Sequence, residues 1–215
     1  MRIAVIGANS EIGKKIVLEA EKQGIKVTCF VENFENIAGN GRIVIKSFED
    51  ILAQDLTDCH YVIDPLSFFC NERFSSDLLP VWHLLEIMKN TEIKLMLLGL
   101  TGFLYTDSSR TKRIYEEAAL PLEDDRQAKK ERVGLNAYKR LRECGNVKWS
   151  ILCPPLLLDE FAYGSGNFEI GDSILPVGIN GDSFISENDF VKALIDVLKR
   201  GPKMHDCMSV RALSR

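Results

Sequence analysis

The passage from an apolar strand into a glycine loop near the N-terminus restricts the fold of this chain more than any other segment. The run Arg-Ile-Ala-Val-Ile at 2–6 is predicted to form a strand, and it leads directly into a loop with glycine at positions 7 and 13. Apolar residues then recur at helical spacing from 12 to 20, and Gly24 ends the pattern. A buried strand that turns at once into an amphipathic helix predicts a sheet with helices packed back onto it.

The rest of the chain repeats this alternation of strand and helix. Further strands are predicted at 26–31, 42–45, 61–63, 93–98, 148–153 and 207–210. Helices are predicted at 11–23, 72–89, 124–144 and 187–200, with a short helical stretch at 47–53. Pro80 falls inside the second of these helices and should kink it or start it. The order predicts an α/β fold of the Rossmann type, doubly wound, with a mostly parallel sheet and helices on both faces.

Two stretches, 101–122 and 154–184, have no clear periodicity, and both follow predicted strands. The second contains five glycines, and we interpret it as a substrate-region loop with a small C-terminal substrate region behind it. A chain of 215 residues suits one domain, so we expect 1–215 to form a single nucleotide-binding unit.

Charge and hydropathy exclude several classes of function. The net charge is −4, so the chain has no basic face for nucleic acid or for a membrane surface. Its longest apolar run, near 95–100, is far short of the about 20 residues that a membrane helix needs. We see no secretory signal ahead of the first strand and expect a cytoplasmic protein.

The cysteines do not indicate a metal site. Six are present, but none forms a C-x-x-C pair, and no histidine stands at ligand spacing from another ligand. We therefore expect no bound metal and interpret most of the thiols as small buried hydrophobic groups in a reducing compartment.

The glycine loop itself predicts a phosphate-binding site. Gly7 allows the tight turn after the strand, and Gly13 lets the helix approach the strand closely. The free N–H groups at the helix start, together with the positive end of the helix dipole, suit a pyrophosphate. Ser10 replaces the middle glycine of the usual pattern, and its hydroxyl could donate to a phosphate oxygen. The expected contacts with the dinucleotide are Gly7, Asn9, Ser10, Glu11, Ile12 and Gly13.

Residues after the neighbouring strands should complete this site. Glu32 ends the second predicted strand, where a carboxylate accepts hydrogen bonds from the adenosine ribose. A phosphate on that ribose would meet like charge, so the sequence favours NAD over NADP, although Glu32 could also simply face solvent. Asp64, Pro65 and Gly99 follow the fourth and fifth strands and are expected to line the cofactor.

Several motifs together resemble a known family. After the glycine loop come Leu-Gly-Leu-Thr-Gly-Phe-Leu-Tyr at 98–105, Trp-Ser-Ile-Leu-Cys-Pro-Pro at 149–155 and Phe-Ile-Ser-Glu-Asn-Asp at 184–189. In this order they resemble the atypical short-chain dehydrogenase/reductase group of NAD(P)-binding proteins, called NADH-flavin reductase-like or NmrA-like. The chain departs from that group's pattern at Ser10, where many members keep glycine, and at Glu32, where members that use NADP often carry arginine.

Catalytic candidates are weak. Typical short-chain dehydrogenases use a tyrosine with a lysine four residues later, and here Tyr138 and Arg142 stand at that spacing on one predicted helix face. A partly buried packing role for Tyr138 is the alternative. Thr101 and Tyr105 follow the central strand and are further candidate hydroxyls, although a loop hydroxyl is common and only its position supports it.

An apolar mouth formed by Phe68, Phe69 and Phe103 would suit a flat acceptor, unless these rings are core aromatics. Reduction of a flavin would need no protein acid. The resemblance thus implies an NAD(P)H-dependent oxidoreductase that acts on a small flat acceptor such as a flavin or quinone.

Two other functions stay open. A regulator that senses the dinucleotide, without redox turnover, is consistent with Ser10 and with the lack of a tyrosine–lysine pair. Epimerase or dehydratase chemistry on a nucleotide sugar ranks third, because only about 60 residues follow the sixth strand. A homodimer is compatible with each of these functions.

Overall fold

A computed structural model describes residues 1–69, 75–117 and 126–213. The strands are β1 Arg2–Ile6, β2 Lys26–Val31, β3 Arg42–Ile45, β4 Tyr61–Asp64, β5 Lys94–Leu98, β6 Lys148–Cys153, β7 Leu157–Asp159, β8 Phe168–Gly171, β9 Phe184–Ser186 and β10 Cys207–Ala212. The helices are α1 Glu11–Lys22, α2 Pro80–Ile87, α3 Ile114–Glu117, α4 Arg126–Leu141 and α5 Glu187–Arg200.

The central sheet has eight strands in the order β3-β2-β1-β4-β5-β6-β10-β8. All of its neighbouring pairs are parallel except β10 and β8, which run antiparallel along Ser209–Ala212 and 168–171. The chain reverses its direction of travel between β1 and β4, so this is the topological switch point at which open α/β sheets bind ligands. The predicted doubly wound fold is confirmed.

Helices cover both faces of the sheet because the strand side chains alternate between two apolar layers. On one face, α1 and α5 pack over odd-numbered β1 residues such as Ile3 and Val5. On the other face, α2 and α4 pack over Ala4 and Ile6. Strands buried on both sides read as continuous apolar runs, which is why they were recognisable in the sequence.

Two predicted helices differ from the structure. The helix expected at 72–89 begins at Pro80 instead, and its described part before that point, 75–79, is not helical. Proline is favoured in the first helical turn because it has no N–H to leave unpaired there. The stretch expected to be helical at 47–53 forms two short 3-10 turns, Phe48–Asp50 and Ala53–Leu56. The start of the helix predicted at 124–144 lies partly outside the described residues.

The segment expected to be irregular at 154–184 contains short strands. β7 and β9 form a separate parallel pair in which Leu157 faces Phe184 and Asp159 faces Ser186. Ser186 then caps α5 by accepting a hydrogen bond from the Asp189 N–H at 3.1 Å. The Asp189 carboxylate accepts from the Gly166 N–H at 2.9 Å, so it anchors the glycine-rich loop to α5.

Within the described ranges, no helix is both long and apolar enough to cross a membrane. The cysteines described are free thiols; Cys29, Cys59, Cys153 and Cys207 are buried, and Cys144 is partly exposed.

Candidate functional site

The glycine loop lies at the switch point, between the carboxyl end of β1 and the start of α1. Gly7 has a φ of +62°, a left-handed backbone conformation that residues other than glycine rarely adopt. A Cβ added to it would also lie 2.8 Å from the Leu66 Cδ1, because the loop after β4 covers this position. Ala8 N–H donates to the Phe30 carbonyl at 3.1 Å and so ties the loop to the end of β2.

Ser10 closes the loop on itself. It is the N-cap of α1, and its Oγ accepts from the Gly13 N–H at 3.1 Å. The same hydroxyl donates to the Gly7 carbonyl oxygen at 2.7 Å. The donor that the sequence suggested for a phosphate oxygen is therefore used inside the loop.

Gly13 is required for close packing of α1 against the loop. A Cβ on this residue would lie 2.4 Å from the Gly7 carbonyl oxygen and 3.0 Å from the Ala8 Cα. Both neighbours are backbone atoms, so a side chain here would have to displace the loop.

Three backbone N–H groups remain available at the helix start. Those of Asn9, Glu11 and Ile12 have no hydrogen-bond partner among the described residues, whereas those of Ser10 and Gly13 are satisfied within the loop. Unpaired N–H groups in the first turn, at the positive end of the helix dipole, are the usual ligands for a phosphate group. The residues present therefore fit a dinucleotide pyrophosphate. The carboxylate of Glu11 forms an ion pair with Lys14 at 2.7 Å.

The loop after β2 lies next to the glycine loop. The Asn9 side-chain amide donates to Asn33 Oδ1 and to the Glu35 carbonyl, both at 3.3 Å. Glu32, which directly follows β2, is exposed at this edge of the sheet. Its carboxylate is therefore free to meet a ribose bound beside the loop.

Asp64 does not reach the surface of the site. Its side chain is fully buried, and its carboxylate accepts from the Leu66 N–H at 2.8 Å and from the Ser67 N–H at 3.1 Å. Ser67 also donates its hydroxyl to Asp64 and accepts from the Val81 N–H at 2.8 Å. The expectation of a direct cofactor contact is corrected here: Asp64 shapes the loop after β4 and ties it to α2.

Burial dominates the electrostatics of Asp64. It raises the pKa of the carboxyl from 3.8 to about 6, against the opposing effect of the hydrogen bonds from Ser67 and Leu66. Pro65 is buried as well, which leaves Leu66 as the residue of this loop that covers Gly7. Nothing in the sequence pattern singled out Leu66.

The residues after β5 pack against the Pro-Pro loop. A Cβ on Gly99 would lie 2.4 Å from Ile151 Cγ2 and 2.8 Å from the Cys153 sulphur. The Thr101 hydroxyl donates to the Pro155 carbonyl at 2.7 Å. Gly99 is buried where the end of β5 packs closely against Ile151 and Cys153 of β6. The Thr101 bond joins the segments that follow these two strands.

Tyr138 lies in the core rather than in the site. It is 1% exposed, and its ring stacks on Phe103 with centroids 4.3 Å apart. Its hydroxyl lies 3.4 Å from the Cys207 sulphur, and burial raises the pKa of the phenol far above its usual value. Arg142 is exposed, with its guanidinium 6.0 Å from the centre of the Tyr138 ring. Neighbouring elements bury the phenol, and this burial argues against the expected tyrosine–arginine catalytic pair.

Arg113 is a buried residue that the sequence did not indicate. Its guanidinium lies 3.9 Å from the centre of the Tyr105 ring and 5.1 Å from that of Tyr138, and it donates to the Phe103 carbonyl. Tyr105 is partly buried and bridges both to Arg113 and to Ile174. These contacts and backbone bridges join the segment after β5 to the segment that follows β8.

The predicted aromatic mouth is also corrected. Phe68 and Phe103 are fully buried and meet edge to face at 5.2 Å, as core aromatics do. Phe69 is half-buried and stacks on Phe190 of α5. Among the described residues, no group of three or more His, Cys, Asp or Glu side chains is arranged to hold a metal ion.

Known proteins resemble this chain in sequence and in fold. No family model matches the chain. The uncharacterized protein YwnB of Bacillus subtilis strain 168 is 25% identical over 201 residues, covering 93% of this chain and 92% of YwnB. A crystal structure from Streptococcus pneumoniae TIGR4, provisionally named an NADH-flavin reductase, is 26% identical, with a TM-score of 0.87 and 99% coverage of both chains.

The resemblance to the NADH-flavin reductase-like group is confirmed. Two more distant structures share the group's fold. One, provisionally named an NAD-dependent epimerase/dehydratase of Bacillus halodurans, is 14% identical, with a TM-score of 0.69 and coverage of 99% of this chain and 94% of that one. The other, a Rossmann-fold NAD(P)-binding family protein of Shigella flexneri, is 16% identical, with a TM-score of 0.63 and coverage of 98% and 93%.

Proposed function

We propose that this chain is an NAD(P)H-dependent oxidoreductase that acts on a small flat acceptor such as a flavin or quinone. The observation that carries the proposal is the set of unpaired N–H groups on Asn9, Glu11 and Ile12 at the switch point of the sheet. They form a cradle for a pyrophosphate, which is the part that all nicotinamide dinucleotides share. The name given to the Streptococcus pneumoniae relative supports the acceptor.

NAD is the proposed cofactor in preference to NADP. Glu32 stands exposed at the end of β2, beside a loop that Asn9 holds against the glycine loop. A carboxylate there accepts hydrogen bonds from ribose hydroxyls and repels a ribose phosphate.

The proposed reaction does not require a catalytic acid or base from the protein. A bound reduced nicotinamide would supply a hydride, and the chain supplies the binding surface and its orientation. Leu66 covers the glycine loop, and Asp64 with Ser67 holds Leu66 in place. Because the Tyr138 phenol is buried, a flavin, whose reduction needs no protein acid, suits this site better than a substrate that must take a proton from tyrosine.

A second candidate function is dinucleotide sensing without turnover. The burial of Tyr138 favours it, since the described residues contain no exposed tyrosine–cation pair on α4. A sensor would bind the dinucleotide with the same N–H groups and would act through a partner protein.

The test is a titration of the purified protein with NADH and NADPH, followed by nicotinamide fluorescence, and then NADH oxidation with flavin mononucleotide or a quinone as acceptor. We expect saturable binding, tighter for NADH, and turnover that depends on the acceptor. A matched control is a competition experiment in which AMP, which lacks the pyrophosphate, is added to the NADH complex and should displace NADH only weakly.

The outcomes separate the candidates. Binding with turnover supports the oxidoreductase. Tight binding without turnover on any acceptor would reject the oxidoreductase and leave the sensor. If neither NADH nor NADPH binds at millimolar concentration, both the oxidoreductase and the sensor proposals are overturned.

A further inference from the structure

The loop after β2 carries an exposed aromatic ring close to the glycine loop. Phe34 stands two residues after Glu32, and 67% of its surface is exposed. Single exposed apolar residues are common on protein surfaces, so exposure alone does not indicate a site. The position of Phe34 carries the argument, because β2 lies next to β1 and its loop begins beside the proposed phosphate site.

Hydrogen bonds fix the backbone on both sides of Phe34. The Asn33 Oδ1 accepts from the Glu35 N–H at 3.1 Å, which closes a tight turn around Phe34. The side-chain amide of Asn9 donates to that same oxygen and to the Glu35 carbonyl, both at 3.3 Å. Both neighbours of Phe34 are therefore bonded to the glycine loop, at a residue whose own N–H is among the proposed phosphate ligands.

The Phe34 ring is not part of the core. Among the described residues, it belongs to neither of the two apolar layers that cover the sheet, whereas Phe30, four positions earlier, is buried in one of them. Water therefore covers most of the ring. Covering an apolar ring with a flat ligand removes that surface from water and is favourable.

The neighbouring strand adds apolar surface at the same edge of the sheet. Ile45 ends β3 in register with Val31, the last residue of β2, and is 53% exposed. The Lys46 N–H donates to the Val31 carbonyl at 2.9 Å, so the end of β3 is held beside the start of the Phe34 loop. The carboxyl ends of β2 and β3 thus both present exposed apolar residues, on the far side of Glu32 from the glycine loop.

We propose that Phe34 binds the adenine ring of the dinucleotide by stacking on it. This inference rests on the proposed function and assigns a residue to a part of the cofactor that the glycine loop and Glu32 leave uncovered. Adenine is joined to the ribose that Glu32 would bind, which places it next along the loop, at Phe34. Stacking between a base and an aromatic side chain is a substantial source of affinity.

The role follows from the distance between adenine and the reacting end of the cofactor. Adenine keeps the same contacts while the nicotinamide transfers its hydride, so stacking contributes equally to the ground state and the transition state. Phe34 is therefore a binding residue that sets cofactor affinity and leaves the hydride step unchanged.

The test is a titration with NADH, followed by nicotinamide fluorescence, of the unchanged protein, Phe34→Ala and Phe34→Tyr. We expect the Kd to rise about fivefold or more in Phe34→Ala and to stay within about twofold in Phe34→Tyr, which keeps the aromatic face. The matched control is Ile179→Ala. It removes a fully exposed apolar side chain that follows β8, at the opposite edge of the sheet, and should bind NADH as the unchanged protein does.

Proton NMR of bound NAD gives a readout that a merely structural role would not change. The adenine H2 and H8 signals should move upfield on binding to the unchanged protein and to Phe34→Tyr, because the aromatic ring current shields protons above its face. In Phe34→Ala, measured at a NAD concentration that restores saturation, this upfield shift should be lost. Circular dichroism of each variant reports whether it is folded.

The outcomes separate this proposal from the one on which it rests. If the unchanged protein binds no dinucleotide, the proposed function fails and the role of Phe34 fails with it. If the unchanged protein binds NADH and Phe34→Ala binds it equally well, only the role of Phe34 is overturned. Equal weakening in Phe34→Tyr or in Ile179→Ala would show that the loss does not come from the aromatic face and would overturn it as well.

Discussion

The Oγ of Ser10 lies 2.7 Å from the carbonyl oxygen of Gly7, and this hydrogen bond closes the glycine loop on itself. With serine in place of the usual middle glycine, the loop is held by a side chain that also caps α1. The N–H groups left open on either side of Ser10 are those that a phosphate would use. Ser10 therefore holds the loop in the conformation that leaves these N–H groups open.

Replacing Ser10 with alanine should weaken both the fold and the binding. Ser10→Ala removes the helix cap and the bond to Gly7, so we expect a loss of about 1 kcal/mol in the free energy of unfolding and a several-fold weaker Kd for NADH. Urea denaturation and a fluorescence titration measure the two effects. Ser108→Ala is the control, because Ser108 is exposed and caps no helix. Unchanged stability in Ser10→Ala would contradict the capping role.

Gly13 should not tolerate even one methyl group. The Cβ of Gly13→Ala would lie 2.4 Å from the Gly7 carbonyl oxygen, so the loop must move. We expect about 1–3 kcal/mol lower stability and at least tenfold weaker NADH binding. In Gly145→Ala the new Cβ meets no atom within 4 Å, and its stability should change by less than about 0.5 kcal/mol. Normal NADH binding by Gly13→Ala would remove the loop from the proposed site.

The nicotinamide preference should depend on Glu32. In Glu32→Arg, a cation replaces the carboxylate at the ribose position, so affinity should shift toward NADPH by about tenfold or more. Parallel titrations with NADH and NADPH measure the ratio. Glu49→Arg makes the same charge change at an exposed position of the 3-10 turn 48–50 and should leave the ratio unchanged. An unchanged ratio in Glu32→Arg would mean that Glu32 does not contact the ribose.

The fold was predictable because its signals are local. β1, β2, β3 and β6 have the predicted bounds, since each is an apolar run between turn residues. The glycine loop was predictable for the same reason: its strand, turn and helix are contiguous. Pro80 was compatible with a helix that kinks there or with one that begins there. Packing in the folded chain determines that α2 begins at Pro80.

The rest of the site depends on contacts between distant parts of the chain. The burial of Tyr138 results from its stacking on Phe103, 35 positions earlier, and from Cys207 on β10. Likewise, the role of Asp64 depends on Ser67 and on Val81 of α2. A sequence pattern places such residues on an element but does not say which neighbours will cover them.

Asp64 should make stability depend on pH. Its pKa of about 6 in the folded protein is above the unfolded value, so its stabilising contribution is complete below about pH 4 and is lost as the pH rises through 6. A shift of this size corresponds to about 3 kcal/mol. Asp64→Asn stays neutral and accepts the same N–H bonds, so its stability relative to the unchanged protein should rise between pH 4 and pH 7.

Urea denaturation at a series of pH values between 4 and 7.5 measures this difference. Asp77→Asn, at a position that is 85% exposed, is the control and should follow the pH profile of the unchanged protein. Parallel profiles for Asp64→Asn and the unchanged protein would show that the Asp64 carboxyl does not titrate in this range.

Tyr138 should prove dispensable for turnover. Tyr138→Phe keeps the ring that stacks on Phe103 and removes a hydroxyl that contacts the Cys207 thiol at 3.4 Å. A thiol is a weak hydrogen-bonding group, so stability should change by less than about 1 kcal/mol. Steady-state NADH oxidation with a flavin should keep its kcat within about twofold and its pH profile unchanged, because the buried phenol reaches no acceptor.

Tyr105→Phe is the comparison variant, since Tyr105 is only partly buried. A loss of kcat of about a hundredfold in Tyr138→Phe, at normal stability, would instead place the phenol at the reacting atoms and restore the catalytic role that its burial argues against.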